Sequence, residues 1–321
     1  VLTKYKFENN TIVETVASGA SVYVFMAPEE HEKTFLKEEF NIDDYDLSSA
    51  LDADEPPRVE TIGDRTFIVW KIPARAQIGG IIDLGVLTVG IVIRPNKMAF
   101  IMNSGEIAIA SREFRGVNSL QSFLLAYLLH GIRHYVGHLR AIKLMSSEIE
   151  KQLTVSMENR YLLQMFSLSE CLIYYIDAIE GNNVVLAKLR ATAPALGIDS
   201  QQVQTLDDIV LEGSQASRQA NIYSSVLSGL MDARGSIVNN NMNELMKNLT
   251  LINTVMLPLN LIASIGGMSE WSMMTQGIDW RVSYSIFIIG MAIIGWFTWK
   301  FVRRFIDRSY VHRIGPRKRK R

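Results

Sequence analysis

Leu249-Thr250-Leu251-Ile252-Asn253-Thr254-Val255-Met256-Leu257-Pro258-Leu259-Asn260-Leu261-Ile262-Ala263-Ser264-Ile265-Gly266-Gly267-Met268 carries no charge. A second run, Val282 to Phe301, is uncharged until Lys300. Roughly 20 such residues cross about 30 Å of hydrocarbon as a helix. Two runs side by side therefore read as a membrane hairpin rather than a soluble core. Lys247 precedes the first span, and Lys300, Arg303 and Arg304 close the second. The connecting segment, Ser269 to Arg281, carries only Glu270, Asp279 and Arg281. The positive-inside rule then places both termini in the cytoplasm. Trp271, Trp280, Tyr284, Trp296 and Trp299 stand near span ends, where interfacial aromatics collect.

The first span is not purely apolar. Asn253, Leu257, Asn260 and Ser264 share one face at 3.6 residues per turn. The same face extends back through Leu249 or Thr250, Met246 and Asn243, and forward to Gly267. Amides inside hydrocarbon are costly unless paired or wet. Two readings follow: hydrogen bonding between helices, or the lining of a water-filled pore. One hairpin cannot enclose a pore, so the second reading requires several copies around an axis. Pro258, a breaker in soluble helices, is tolerated in a span and marks a kink.

Outward from the hairpin the chain reads as soluble. Residues 1–117 form an α/β domain. Its strand-like runs are Ser21–Met26, Thr66–Ile72, Gly85–Ile93 and Met98–Met102, β-branched or aromatic and ending near Gly, Pro or Asn. A helix is expected to begin at Pro28-Glu29-Glu30-His31, and another over Ser48–Leu51. Residues 118–199 are helical in period, with a first run from Leu120 to Leu139. A second run covers about 158–180 and is expected to break at Gly181-Asn182-Asn183. Residues 200–248 keep a helical stripe from Val203 to Leu245 and read as a long stalk helix continuing into the first span. A helix over 200–265 would be on the order of 100 Å long and would need neighbouring helices or subunits. The remaining divisions are 249–268 (first span), 269–281 (loop), 282–301 (second span) and 302–321 (basic tail).

The formal net charge is zero, so global charge names no partner. The tail Gly315-Pro316-Arg317-Lys318-Arg319-Lys320-Arg321 follows an apolar helix and reads as a cytoplasmic membrane flank rather than a nucleic-acid patch. The single cysteine, Cys171, excludes a disulfide within the chain and reads as a small core residue. No apolar signal segment opens the sequence, and a start at Val1 rather than Met leaves room for an upstream piece. His130, His134 and His138 recur every four residues, a spacing that can bind Zn²⁺, but without a carboxylate or Cys in the stretch they read as a solvated face. Acidic residues cluster at Asp43, Asp44, Asp46, Asp52, Asp54 and Glu55, and at Asp207, Asp208 and Glu212, as solvated loops and helix ends do. There is no nucleophile–base arrangement, and Gly79-Gly80 is too little for a phosphate loop, so no enzyme is expected.

Leu230-Met231-Asp232, Met242-Asn243-Glu244-Leu245-Met246-Lys247, Leu249-Thr250 and Met256-Leu257-Pro258-Leu259 resemble the stalk and first span of the CorA family of divalent metal ion transporters. Ile262-Ala263-Ser264-Ile265-Gly266-Gly267-Met268-Ser269 stands where that family ends its span with the signature Gly-Met-Asn. The resemblance implies an α+β chain: a cytoplasmic α/β domain, long stalk helices and two C-terminal transmembrane helices per subunit, assembled as a homopentameric funnel. It implies a bacterial or archaeal plasma (inner) membrane, with the bilayer, divalent cations and copies of itself as partners and no nucleic acid. Position by position, Gly267, Met268 and Ser269 would form the outer mouth. Ser264, Asn260, Leu257, Asn253, Leu249, Met246 and Asn243 would line the pore. Asp208 falls near a stalk position where the family binds a regulatory ion. No covalent cofactor is implied; Mg²⁺ or another divalent cation would be both transported and regulatory. Ser269 replaces the signature asparagine, and Gly266 the usual tyrosine. Mg²⁺ exchanges its waters reluctantly, so a ring that holds the hydrated ion is a sensible selector. A serine ring is wider, which leaves Co²⁺, Ni²⁺ or Zn²⁺ open. The implied function is a Mg²⁺ channel gated by cytoplasmic metal. The alternatives are a Zn²⁺ transporter of the ZntB type, proton-coupled, and a non-conducting membrane scaffold.

Overall fold

The computed structural model describes residues 1–8, 11–16, 19–74, 77–79, 81–155 and 159–311. They divide into two units, Val1–Asp232 and a second beginning at Ala233. The basic tail from residue 312, Gly80 and residue 158 lie outside the described residues.

In the first unit the strands are β1 (Leu2–Glu8), β2 (Thr11–Glu14), β3 (Val22–Met26), β4 (Arg58–Ile62), β5 (Arg65–Pro73), β6 (Gln77–Gly79), β7 (Ile81–Asp83), β8 (Val86–Arg94) and β9 (Lys97–Met102). Seven form one sheet in the order β2-β1-β3-β9-β8-β5-β4, while β6 and β7 pair separately. Within the large sheet only β3 and β9 pair in parallel. The four runs expected from β-branched residues are β3, β5, β8 and β9. They lie together at its centre, where both faces are covered. The strands of this sheet that were not anticipated, β1, β2 and β4, lie toward its edges and carry charges such as Lys4, Lys6, Arg58 and Glu60; β6 and β7 were not anticipated either.

Alternation along the central strands sends side chains to two cores. Met98, Phe100 and Met102 of β9 join Ile68, Trp70, Val89 and Ile91 under α3 (Leu120–Val155) and α4 (Asn159–Ala191). Ala99 and Ile101 join Phe25, Phe67, Val69 and Val92 under α1 (Glu30–Phe40) and α2 (Asp44–Leu51). The result is a sheet between two helical layers. Gly90 of β8 is required here: a Cβ would stand 2.3 Å from that of Ala50.

The break expected at Gly181-Asn182-Asn183 does not occur; α4 runs through it to Ala191. These residues are what the helix docks with. Asn182 is fully buried; its Oδ1 accepts from the Lys71 N–H at 3.0 Å, and its Nδ2 donates to the Lys71 carbonyl at 2.7 Å. A Cβ on Gly181 would meet Pro57 at 2.7 Å. Asn183 Nδ2 donates to the Gly213 carbonyl at 3.2 Å on the next helix. Tertiary contacts thus outweigh the weak helix propensity of Gly and Asn.

Helix α5 is continuous from Ser200 to Gly266, with Pro258 inside it. Gly213, Gly229 and Gly235 do not interrupt it. In the second unit it is followed by α6 (Ser269–Met274) and α7 (Trp280–Val311). The segment read as a loop therefore holds a short helix. Among the described residues, three helices are long and apolar enough to cross a membrane: Arg160–Ala191, Ser200–Gly266 and Trp280–Arg304. The apolar window of the first is 39% buried within its own fold, those of the other two 0%. Leu168, Leu172, Tyr175 and Ile179 of α4 are core residues, so that helix belongs to the soluble unit.

Candidate functional site

The apolar end of α5 presents two faces. Leu251, Val255, Pro258, Leu259, Ile262 and Gly266 are partly covered, and Leu259 and Gly266 touch α7 directly. A Cβ on Gly266 would meet the Phe287 ring at 2.6 Å, and one on Gly295 would stand 3.3 Å from Leu259 Cδ1. These two glycines let the helices approach, as small residues do in membranes. Asn253, Leu257, Asn260 and Ser264 are exposed. At about 100° per residue their stripe centres roughly 180° from the face against α7. The amides of Asn243, Asn253 and Asn260 have no hydrogen-bond partner among the described residues. Thr250 and Thr254, by contrast, satisfy their hydroxyls on the Met246 and Thr250 carbonyls, 2.8 Å away in each case. Pairing with the second span therefore does not account for the stripe within one chain.

Met246, Leu249 and Asn243 are likewise exposed on α5. The helix ends at Gly266, two residues before the expected end of the span. The Gly267 N–H donates to the Ala263 and Ser264 carbonyls, and the Met268 N–H to Ile265 at 3.1 Å. Met268 is extended, and Ser269 opens α6. Gly267, Met268 and Ser269 thus occupy the turn at the hairpin tip, all exposed. Ser269 Oγ donates to Glu270 Oε2 at 3.3 Å, a contact that residue types alone did not single out.

In the soluble unit the histidine reading is corrected. His130, His134 and His138 do share a face of α3, with ring centroids 6.0 and 4.5 Å apart, but they are half-buried rather than solvated. His138 Nδ1 lies 2.6 Å from the Tyr175 hydroxyl, and His130 Nδ1 3.4 Å from Glu113. Burial, then the neighbouring His138 and His130, depress His134 to about 4. Burial alone would raise the Glu113 carboxyl. Its own backbone N–H, Arg133, Ser111 and His130 outweigh that and hold it at about 2. No group of three or more His, Cys, Asp or Glu that could hold a metal is present among the described residues. Of the acidic residues, Asp46 is not in a solvated loop: it is buried and paired with Arg65 at 2.8 Å. Asp207 pairs with Arg190, and Glu212 with Arg133. Asp208 is exposed on α5.

A soluble sheet-and-helix unit, continued by a helix that becomes one arm of an apolar hairpin with a polar outer stripe, defines a two-span membrane protein. The profile of the CorA-like Mg²⁺ transporter protein family matches residues 19–304. The chain belongs to that family and is a divalent-cation transporter of its kind. It is 25% identical to the cobalt/magnesium transport protein CorA of Methanocaldococcus jannaschii over 252 residues, 75% of this chain and 77% of that protein. The complete structure of the CorA magnesium transporter from the same organism superposes with a TM-score of 0.76 at 21% identity, covering 95% of this chain and 98% of that one. The ZntB cytoplasmic domain from Vibrio parahaemolyticus superposes with a TM-score of 0.61 at 12% identity, over 74% of this chain and 98% of that one.

Proposed function

We propose that the chain conducts hydrated divalent cations, Mg²⁺ foremost and Co²⁺ or Ni²⁺ with it, through a pore on the axis of a homopentamer. Five copies of the 249–266 segment of α5 surround the axis. The α7 helices form an outer ring, and both termini lie on the cytoplasmic side of a plasma membrane. The observation that carries this reading is the polar stripe turned away from α7. In a monomer it would place Asn253 and Asn260 in lipid, at a cost of a few kcal/mol each. Around an axis the amide dipoles face water and the shell of a hydrated cation. Met246, Leu249 and Leu257 form apolar narrowings between the amide levels. Gly267, Met268 and Ser269 form the outer mouth.

Cytoplasmic Mg²⁺ closes the pore by binding the closed form more tightly. Asp208 offers one exposed carboxylate, so such a site needs ligands from a neighbouring subunit. A second reading, a proton-coupled Zn²⁺ transporter, is favoured by Ser269 in place of the signature asparagine and by the likeness to the ZntB domain. Flux in proteoliposomes separates the two. Mg²⁺ uptake without a pH gradient is expected. Zn²⁺ flux that follows the gradient, with Mg²⁺ excluded, would establish the second reading. Absence of flux for any divalent ion would leave a scaffold.

A further inference from the structure

The ring of Phe287, on α7, meets the chain on both sides of the turn at the hairpin tip. On one side it closes on the end of α5: a Cβ on Gly266 would stand 2.6 Å from its Cζ and 2.8 Å from its Cε2. On the other side it packs against Trp271 of α6, with ring centroids 5.8 Å apart and planes at 59°. Between these two contacts lie Gly267, Met268, Ser269 and Glu270. Trp271 is itself tied to that turn, since its N–H donates to the Met268 carbonyl at 3.2 Å. Tyr284, one helical turn earlier on α7, supports the Phe287 ring at 6.3 Å between centroids. Paired glycines at 266 and 267 restrain the backbone little by themselves. A cavity of about 420 Å³, lined in part by Gly266, Gly267, Trp271 and Tyr284, adjoins the ring. The turn therefore has space into which it shifts when the ring is removed.

We infer that Phe287 is a positioning residue of the outer mouth. One ring pins both ends of the turn and so fixes where Gly267, Met268 and Ser269 stand around the axis. It acts through those residues and touches no ion. This inference rests on the pore reading above. A mouth selects a hydrated cation by the placement of its hydrogen-bonding atoms against the ion's waters, and placement is lost when the groups behind them are loosened. Removing the ring leaves the chemistry of the mouth and the stripe of α5 intact. It weakens capture of the ion and discrimination between Mg²⁺ and Co²⁺, while passage along the pore continues.

The test is initial uptake of Mg²⁺ or Co²⁺ into proteoliposomes holding the full-length chain, with the external ion varied. In Phe287→Ala the Mg²⁺ concentration at half-maximal rate is expected to rise about three- to tenfold, with the maximal rate within about twofold of wild type. Phe287→Tyr keeps the ring and should stay within about twofold in both. Trp271→Ala, at an exposed position on α6, removes the second contact and should raise the half-saturation at least about threefold. Leu259→Ala serves as the packing control, because it loosens α5 against α7 at Gly295 and spares the ring. It should lower the thermal transition yet leave the half-saturation and the Mg²⁺-to-Co²⁺ preference within about twofold. If Phe287→Ala and Trp271→Ala shift the half-saturation no more than Leu259→Ala does, the ring is packing alone, and the inference fails while the pore reading stands. If the wild type conducts no divalent cation, both fall.

Discussion

Asn182 is fully buried and uses both ends of its amide on the Lys71 backbone. Asn182→Ala leaves a strand N–H and a carbonyl unpaired in the core, at about 1–3 kcal/mol per group. The thermal transition of the detergent-solubilised protein is therefore expected to fall by several degrees. An unchanged transition would mean that water replaces the amide. A sequence read by local propensity sees Gly-Asn-Asn as a stop, because the partner that stabilises it lies 111 residues away. His134 and Glu113 set a pH dependence. His134 titrates near 6.5 when free and near 4 in the fold, so between those values the unfolded chain binds a proton that the fold refuses. Stability is full above about 6.5 and declines as pH falls toward 4. Glu113, held at about 2 against 4.5, adds a further loss below 4.5. Melting curves should shift downward across that range. His134→Gln should flatten the part between 6.5 and 4 while leaving the part below it. The spacing of the three histidines was legible in the sequence; their burial against Tyr175 and Glu113 was not, since both partners lie on other elements.

Among the elements, the two apolar helices and the central strands could be read directly, because uncharged length and β-branched runs are local signals. The edge strands and α6 could not. Charged residues mask the former, and the latter is six residues long. What joins α5 to α7 was also hidden, since glycine's role depends on what faces it. Gly266 and Gly295 differ in a way that can be tested. A Cβ at Gly266 strikes the rigid Phe287 ring at 2.6 Å, whereas one at Gly295 meets the flexible end of Leu259 at 3.3 Å. Gly266→Ala is expected to lower both thermal stability and ion flux, and Phe287→Leu in the same chain to recover much of both. Gly295→Ala should cost less than about 1 kcal/mol, since Ala returns helix propensity. Equal effects at the two sites would contradict the packing described.

For the whole molecule, one chain carries a polar stripe that its own hairpin leaves uncovered. The positions of that stripe were legible in the sequence from helical period alone; its direction relative to α7 required the structure. In the pentamer proposed above, five copies around an axis would cover it. The single native cysteine, Cys171, is buried in the soluble unit, so cysteines placed on α5 can be followed against a Cys171→Ser background. The most direct measurement is the reaction of single cysteines at 253, 260, 255 and 262 with a charged, membrane-impermeant thiol reagent in liposomes. The account predicts that Asn253→Cys and Asn260→Cys react and are protected by Mg²⁺, while Val255→Cys and Ile262→Cys stay unreactive. Modification of 253 and 260 only by a lipid-soluble reagent, or of all four alike, would contradict it.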